Sequence, residues 1–495
     1  MSIKPQFESY RYIGEVCRLK AQSIIECRLP GSEIGSVLAI RGKAIPTECA
    51  CADGEVQYSG KALVAIVYED GERKICRAER GAEFFHKAEG RLVTPACFAK
   101  GEYEVENISW RREGSGLYIS LIVSAEIVVF GGKQMEYLSG GEGLICQKEG
   151  LSLCRTVCVS GEVEGEDDFD CDYIGDLLLH SEKAIVHHCV AKDGQVEIEG
   201  EIALNLCVLR ADESVCAYER LTPFRMQVPA DEAYGSVTVG ARVRVQSARL
   251  TASADEENGK SRMLFSYGLS ADCFLYIHED ISITADAFSE GAETTVKRQK
   301  DGGRYLTKHA RFVERVRGEA SLLGGVEGEY TLQAAMLPRA EITCRRTEKG
   351  VEAEGVVFAE ALLKGADGGY KTATLSLPVL FPVDIDGEIV EADALVCGLT
   401  VRRKKEGGTE AEATLKLSLT AYKEKEWSYI SEVEEGEGYA ESDCAFSVFL
   451  PVAGENLWQT AKRLRCAPDS LQKNNPDLQF PLKEGQRIFV YRQIK

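Results

Sequence analysis

Polar and apolar residues alternate along most of this chain with the period of two that a half-buried strand requires. Val56 and Tyr58 sit between polar neighbours, as do Val196 and Ile198. Runs of β-branched and aromatic residues follow at 62–68, 202–209 and 356–363, and others lie at 118–130, 243–250, 264–277 and 413–421. Sustained helical spacing is rare before the last fifty residues. There Leu457, Ala461 and Leu464 mark one apolar helix face, Pro468 suits the first turn of a second helix, and Asn475-Pro476 stops it. The pattern predicts a mostly β protein, antiparallel and sandwich-like, that ends in strand, helix, helix, strand.

The β pattern repeats. Lys43-Ala44, Lys183-Ala184 and Arg339-Ala340 are each followed by a glycine, Gly54, Gly194 and Gly350, at the same distance. A second glycine comes next at Gly60, Gly200 and Gly355, the third one residue early. Turns are expected at Asp70-Gly71, Ala211-Asp212 and Asp367-Gly368, and each copy closes on an aromatic at Phe84-Phe85, Pro223-Phe224 or Phe381-Pro382. Gly54 and Gly194 are 140 residues apart, and Gly194 and Gly350 are 156 apart. Such periods are domain-sized, so the copies read as three tandem β domains, at 1–140, 150–290 and 304–431, with a small domain at 444–495. Weak points in the chain are expected at 139–143, at 294–303 and in the acidic stretch 432–438.

The last domain carries the most specific motif: Gly454-Glu455-Asn456-Leu457-Trp458, Leu471 with Asn475-Pro476, and Pro481-Leu482 with Gly485-Gln486 and Ile488. Asn456 is a good N-cap, since its side-chain oxygen can accept from an orphan amide of the opening turn. The arrangement resembles the LysM module, a βααβ domain known for binding N-acetylglucosamine polymers. Asn456 stands where threonine is usual, Thr460 where an apolar residue is usual, and Ala467 where a serine or threonine cap is usual. The resemblance implies a partner- or glycan-binding surface at Gly454, Asn456, Leu457, Trp458, Lys462, Asn475, Pro476 and Arg487. Trp458 is the expected hot spot.

Three repeats followed by such a module resemble the SPOCS family, the sporulation coat-associated domain proteins of spore-forming bacteria. That resemblance implies a non-enzymatic scaffold in the mother-cell cytoplasm, on the outer forespore surface. Its partners would be the stage IV sporulation ATPase and other coat proteins, with residual N-acetylglucosamine binding left open. Two other readings stand beside it: a LysM-targeted peptidoglycan-binding or wall-active protein, and a structural protein of a phage-tail-like particle.

Composition narrows these choices. The net charge of −20 argues against nucleic acid as a partner. Residues 447–495 hold eight Lys or Arg against four acids, a balance of +4, which leaves −24 for residues 1–446. A basic module on an acidic body should prefer an acidic surface, either a partner's or its own body's. No segment has the ~20 continuous apolar residues of a membrane span, and Met1 to Glu8 has no apolar signal core. The 18 cysteines are scattered and form no Cys-x-x-Cys, so reduced thiols are expected. Cys49-Ala50-Cys51, Cys154 with Cys158, and His187-His188-Cys189 lack paired zinc-ligand spacing. Ala254 to Ser261 is a relaxed match to a phosphate-binding loop, yet it lies between β-type runs and is better read as a hairpin turn. No catalytic residue, cofactor or metal site is therefore expected.

Overall fold

Charged residues alternating with small and branched apolar ones carry the chain into long antiparallel strands. The structure, a computed structural model, describes residues 2–30, 34–114, 116–172, 176–210, 212–255, 260–324, 330–366, 368–404, 408–440, 445–484 and 486–491. The expected turns at Ala211-Asp212 and Asp367-Gly368, the hairpin tip 256–259 and Gly485 fall wholly or partly outside these residues.

The first six strands are β1 (Lys4–Pro30), β2 (Ile34–Ala52), β3 (Glu55–Asp70), β4 (Ile75–Glu89), β5 (Phe98–Glu113) and β6 (Gly116–Glu142). They form two three-stranded sheets, β1-β6-β5 and β2-β3-β4. Both sheets feed one core, in which Val56, Tyr58 and Ile66 from the second meet Ile119, Leu121 and Val123 from the first. Next come β7 (Ile145–Asp172), β8 (Asp176–Lys192), β9 (Gln195–Leu209), β10 (Val215–Pro229), β11 (Thr238–Asp255) and β12 (Lys260–Phe288). Their order is β7-β12-β11 and β8-β9-β10. The third set is β13 (Ala292–Leu323), β14 (Tyr330–Thr347), β15 (Gly350–Gly365), β16 (Tyr370–Val383), β17 (Ile389–Arg403) and β18 (Thr409–Gly438). Here β13-β18-β17 and β14-β15-β16 join through a short pairing of β13 with β16, giving one six-stranded sheet. All ladders are antiparallel. The chain ends in β19 (Phe446–Phe449), α1 (Leu457–Leu464), α2 (Pro468–Asn474) and β20 (Ile488–Tyr491), with β19 paired to β20.

Each six-strand unit has one long ribbon: β1/β6, β7/β12 or β13/β18. In the first, residues 17–30 of β1 and the facing part of β6 line their own unit's core. A bulge between Glu15 and Cys17 resets the register, and the rest of the ribbon leaves that core. A bulge between Leu306 and Lys308 does the same in β13. The departing halves meet in layers to which every unit contributes. Leu138, Ala287 and Ile430, one from each ribbon, are fully buried together. Val128 and Phe130, Phe274 and Tyr276, and Leu306 and Tyr422 form a second layer. Strands of the other sheets add a third, with Leu38, Leu179 and Met336. Burying a Leu or Ile fully is worth about 1.5–3 kcal/mol, so these layers bind the units firmly.

The expected weak points at 294–303 and 432–438 lie inside β13 and β18, where they pair with neighbouring ladder residues, as in Thr294–Glu435 and Gly303–Lys425. Acidity does not break β18, because Lys297 on the adjacent strand takes both Glu432 (3.1 Å) and Glu434 (2.6 Å). The boundary expected at 304 therefore falls within a strand that begins at Ala292. The hairpin expected near 254–261 agrees with the pairing of Asp255 with Lys260.

Gly60 and Gly200 occupy matching places. Gly60 pairs with Phe84 and Gly200 with Phe224. A Cβ on either would come 2.5 Å from the facing ring and strike a carbonyl, that of Ile45 or of Ile185. Gly355 also lies against a carbonyl, that of Glu341, but pairs with Val379, because Phe381 sits opposite Ala353. Gly200→Ala is expected to cost about 1–3 kcal/mol by overpacking. Gly132→Ala, where a Cβ meets nothing within 4 Å, should change stability by less than about 0.5 kcal/mol. Chemical-denaturation midpoints of the two variants check the contrast.

Candidate functional site

The C-terminal module is held by local hydrogen bonds that its sequence encodes. Asn456 Oδ1 accepts from the Gln459 amide (2.9 Å), and Gln459 Oε1 accepts from the Asn456 amide (3.0 Å), a reciprocal capping box. Thr460 is fully buried on the apolar face, and its hydroxyl donates to the Asn456 carbonyl at 2.8 Å. Leu457 packs on Ala461, Leu464, Leu471, Leu482, Ile488 and Val490. Gly454 turns the chain into α1 at φ +87°, and its amide donates to the Leu482 carbonyl.

Asn475 is buried. Its Nδ2 donates to the carbonyls of Leu471 (2.8 Å) and Phe489 (2.7 Å), and its Oδ1 accepts from the Phe489 amide (2.7 Å). All three bonds staple the end of α2 to β20. Of the eight expected site residues, Gly454, Asn456, Leu457 and Asn475 thus build the module, while Pro476 and Arg487 are exposed.

Trp458 and Lys462 face the body. Trp458 Nε1 donates to Asp286 Oδ2 (2.8 Å), and Lys462 Nζ reaches both carboxylate oxygens at 2.8 Å. The Phe288 ring meets the indole edge-on at 5.2 Å. Glu290 accepts from the Ala467 amide at 2.8 Å, at a helix start that has no side-chain cap. The Arg465 guanidinium lies 3.3 Å from the centroid of the Tyr439 ring. Phe288 enters the module's own core. Asp286 to Phe288 are the last residues of β12 and Glu290 lies just after it, so the module is seated on the second unit. Burial pushes the Asp286 carboxyl up, but hydrogen bonds from Lys462 and Trp458 outweigh it and hold it below the usual carboxylate range. No local sequence signal marks Asp286, Phe288 or Glu290, which lie more than 150 residues upstream.

A second concentration of polar groups lies where the units meet. A cavity of about 2320 Å³ is walled by β2, β5, β8, β11, β14 and β17. Glu391 of the third unit draws an arginine from each: Arg18 (2.8 Å), Arg242 (3.8 Å) and Arg304 (2.8 Å). Burial pushes the Glu391 carboxyl up, and the three guanidinium groups reverse this and hold it down. Arg304 also lies over the Tyr422 ring at 4.0 Å. Glu182 joins Arg41 (3.1 Å) and Lys43 (2.5 Å) across the first boundary, and Lys183 joins Asp393 (2.6 Å) across the second. Glu104 lines this cavity, and the protein packed around it pushes its carboxyl up. These pairs bridge units, which is a structural task.

The cysteine and histidine candidates show the same character. Burial pushes the Cys49, Cys51 and Cys158 thiols up to about 11 and Cys154 up to about 12. His187 Nε2 lies 3.0 Å from Glu201. Among the described residues no group of three or more His, Cys, Asp or Glu is placed to hold a metal ion, and no helix is long and apolar enough to cross a membrane. Set against known protein families, curated proteins and solved structures, the chain matches none.

Two substitutions probe these contacts. Asp286→Ala should weaken the seat by about 1.5–3 kcal/mol, the worth of hydrogen bonds to a charged group, and raise hydrogen exchange across α1. Because the docked carboxyl is held low, its contribution is full above the usual carboxylate range, near pH ~4, and is lost as pH falls through the lowered value. Exchange in α1 of the unaltered chain should therefore rise only in acid. Glu391→Ala leaves three arginines facing each other, and because the carboxylate is partly open to solvent, which screens the cluster, the substitution should destabilise the chain by about 1–3 kcal/mol, read as a lower denaturation midpoint.

Proposed function

We propose that this protein is a non-enzymatic scaffold of spore coat assembly, an adaptor that places a morphogenetic ATPase on the forespore. The observation that carries the reading is the strand order, first-sixth-fifth with second-third-fourth, met three times before a βααβ module. Three β units before a βααβ module agree with the reading of three SPOCS domains followed by a LysM, an architecture that resembles SipL, the morphogenetic protein that partners the stage IV sporulation ATPase. The seams between units support a stiff platform, since ions from different units pair across them instead of facing a substrate. The charge division, +4 on the module against −24 on the rest, favours contacts with proteins over nucleic acid. On this reading the module binds a protein, and the chain works in the mother-cell cytoplasm at the outer forespore surface.

The test is capture from sporulating cells with the tagged full chain and with a chain lacking 444–495. The full chain should recover the sporulation ATPase and coat proteins, and the shortened chain should lose the ATPase while its three β units still unfold in a cooperative transition. A full chain that recovers no ATPase, or that sits away from the forespore when imaged, would sink the proposal.

A further inference from the structure

With α1 turned toward Asp286, the module presents a different face to the outside. Successive residues of a strand point to opposite sides. Phe449, Ile488 and Val490 point inward to the helices. Phe446 and Val448 point outward beside their ladder partners Tyr491 and Phe489. The outward set is 46%, 50%, 59% and 36% exposed in that order, and Leu450, just past the last pair, is 77% exposed. Phe446 stacks on Phe489 at 5.7 Å and leans on Tyr491 at 5.0 Å, so the rings form one continuous surface. Arg487, by the same alternation, stands at its Leu450 end and is exposed. Neither strand carries a carboxylate.

Among the described residues the other exposed large apolar side chains are scattered from Ile13 to Leu380, whereas six lie from Phe446 to Tyr491. A contiguous apolar patch of this kind marks an interaction surface. We infer that the outer face of the β19/β20 sheet is the docking surface for an amphipathic segment of another protein, whose apolar side covers Phe446, Val448, Phe489 and Tyr491 and whose carboxylate meets Arg487. This rests on reading the module as protein-binding.

The chemistry selects that occupant. A glycan needs many hydrogen-bonding groups, and this face offers chiefly aliphatic and aromatic carbon, with one guanidinium and one phenol. A second copy would bring two modules of +4 together, and the body offers no matching apolar face among the described residues. An acidic amphipathic segment satisfies both the carbon surface and the charge.

The experiment selects a displayed library of short random peptides on the full chain and measures the recovered peptides by calorimetry. Expected are peptides with spaced apolar residues and an Asp or Glu. Val448→Glu and Phe489→Glu should each weaken them at least ~10-fold, and Arg487→Glu ~10-fold for the acidic peptides alone, a loss typical of hot-spot residues. Because these side chains are exposed, the denaturation midpoint should not move. Asp286→Ala should leave peptide affinity unchanged, which separates this face from the seat. The inference falls if no peptide is recovered, if the peptides bind Val448→Glu as tightly, or if they carry no acid and ignore Arg487→Glu. It falls equally if Val448→Glu instead abolishes binding of a chito-oligosaccharide or a self-association seen by sedimentation. Peptide binding without ATPase capture would count against the proposed function alone, and the reverse would leave that function standing with its contact elsewhere.

Discussion

Everything in this molecule depends on the three long ribbons having apolar residues to bury twice. A strand of ordinary length serves one core. β1, β6, β12 and β18 run to between 27 and 30 residues, so each ribbon lines its unit's interior with one half and must cover the other half some other way. The bulges at Glu15/Cys17 and Leu306/Lys308 re-aim the side chains at that transition. The free halves can hide their apolar residues only against each other, which draws Leu138, Ala287 and Ile430 together. The units are thus joined by a shared interior and not by linkers, and their relative placement follows from the strand lengths.

Ions specify what the apolar layers cannot. Side chains of similar size would tolerate a slipped register, but Glu391 finds Arg18, Arg242 and Arg304 in one arrangement only. Such a half-buried cluster adds little net stability when intact, whereas removing its one carboxylate leaves like charges together. In a chain that uses nearly the same unit three times, Glu182 with Arg41 and Lys43 marks one boundary, and Lys183 with Asp393 marks the next. Different charges at corresponding seams keep like units from exchanging places.

The local parts of this plan were legible in the sequence. Alternation gave the strands, Gly54 and Gly194 gave positive-φ turns, and Asn456 gave the cap of α1. Gly60 and Gly200 could be matched by spacing alone, because each has a phenylalanine opposite it. What failed was what depends on a distant partner. The stretch 432–438 looked like a linker because its acids have no local counter-charge, and Lys297, on another strand, supplies one. The glycines within 294–303 looked like a break, yet a Cβ at Gly303 would come 3.3 Å from the Trp427 ring, so the small residue fits beside it. Trp458 and Lys462 read as a contact surface for an acidic partner or for the chain's own body, and nothing near them in sequence names Asp286.

The inward placement of Trp458 and Lys462 follows from how a small module achieves stability. A domain of about fifty residues buries too little surface to be comfortable alone, and this one takes Phe288 from the second unit into its core. Borrowing that ring fixes which side of the module is inward. Trp458 meets that ring edge-on and Lys462 pairs with the nearby Asp286 carboxylate, so the helix bearing the most conspicuous aromatic becomes the inner side. The two-stranded sheet, on the other side of the same core, is left with its rings outward. The seat therefore decides where the module can meet anything else, and the working surface is set by residues of β12 that never touch it.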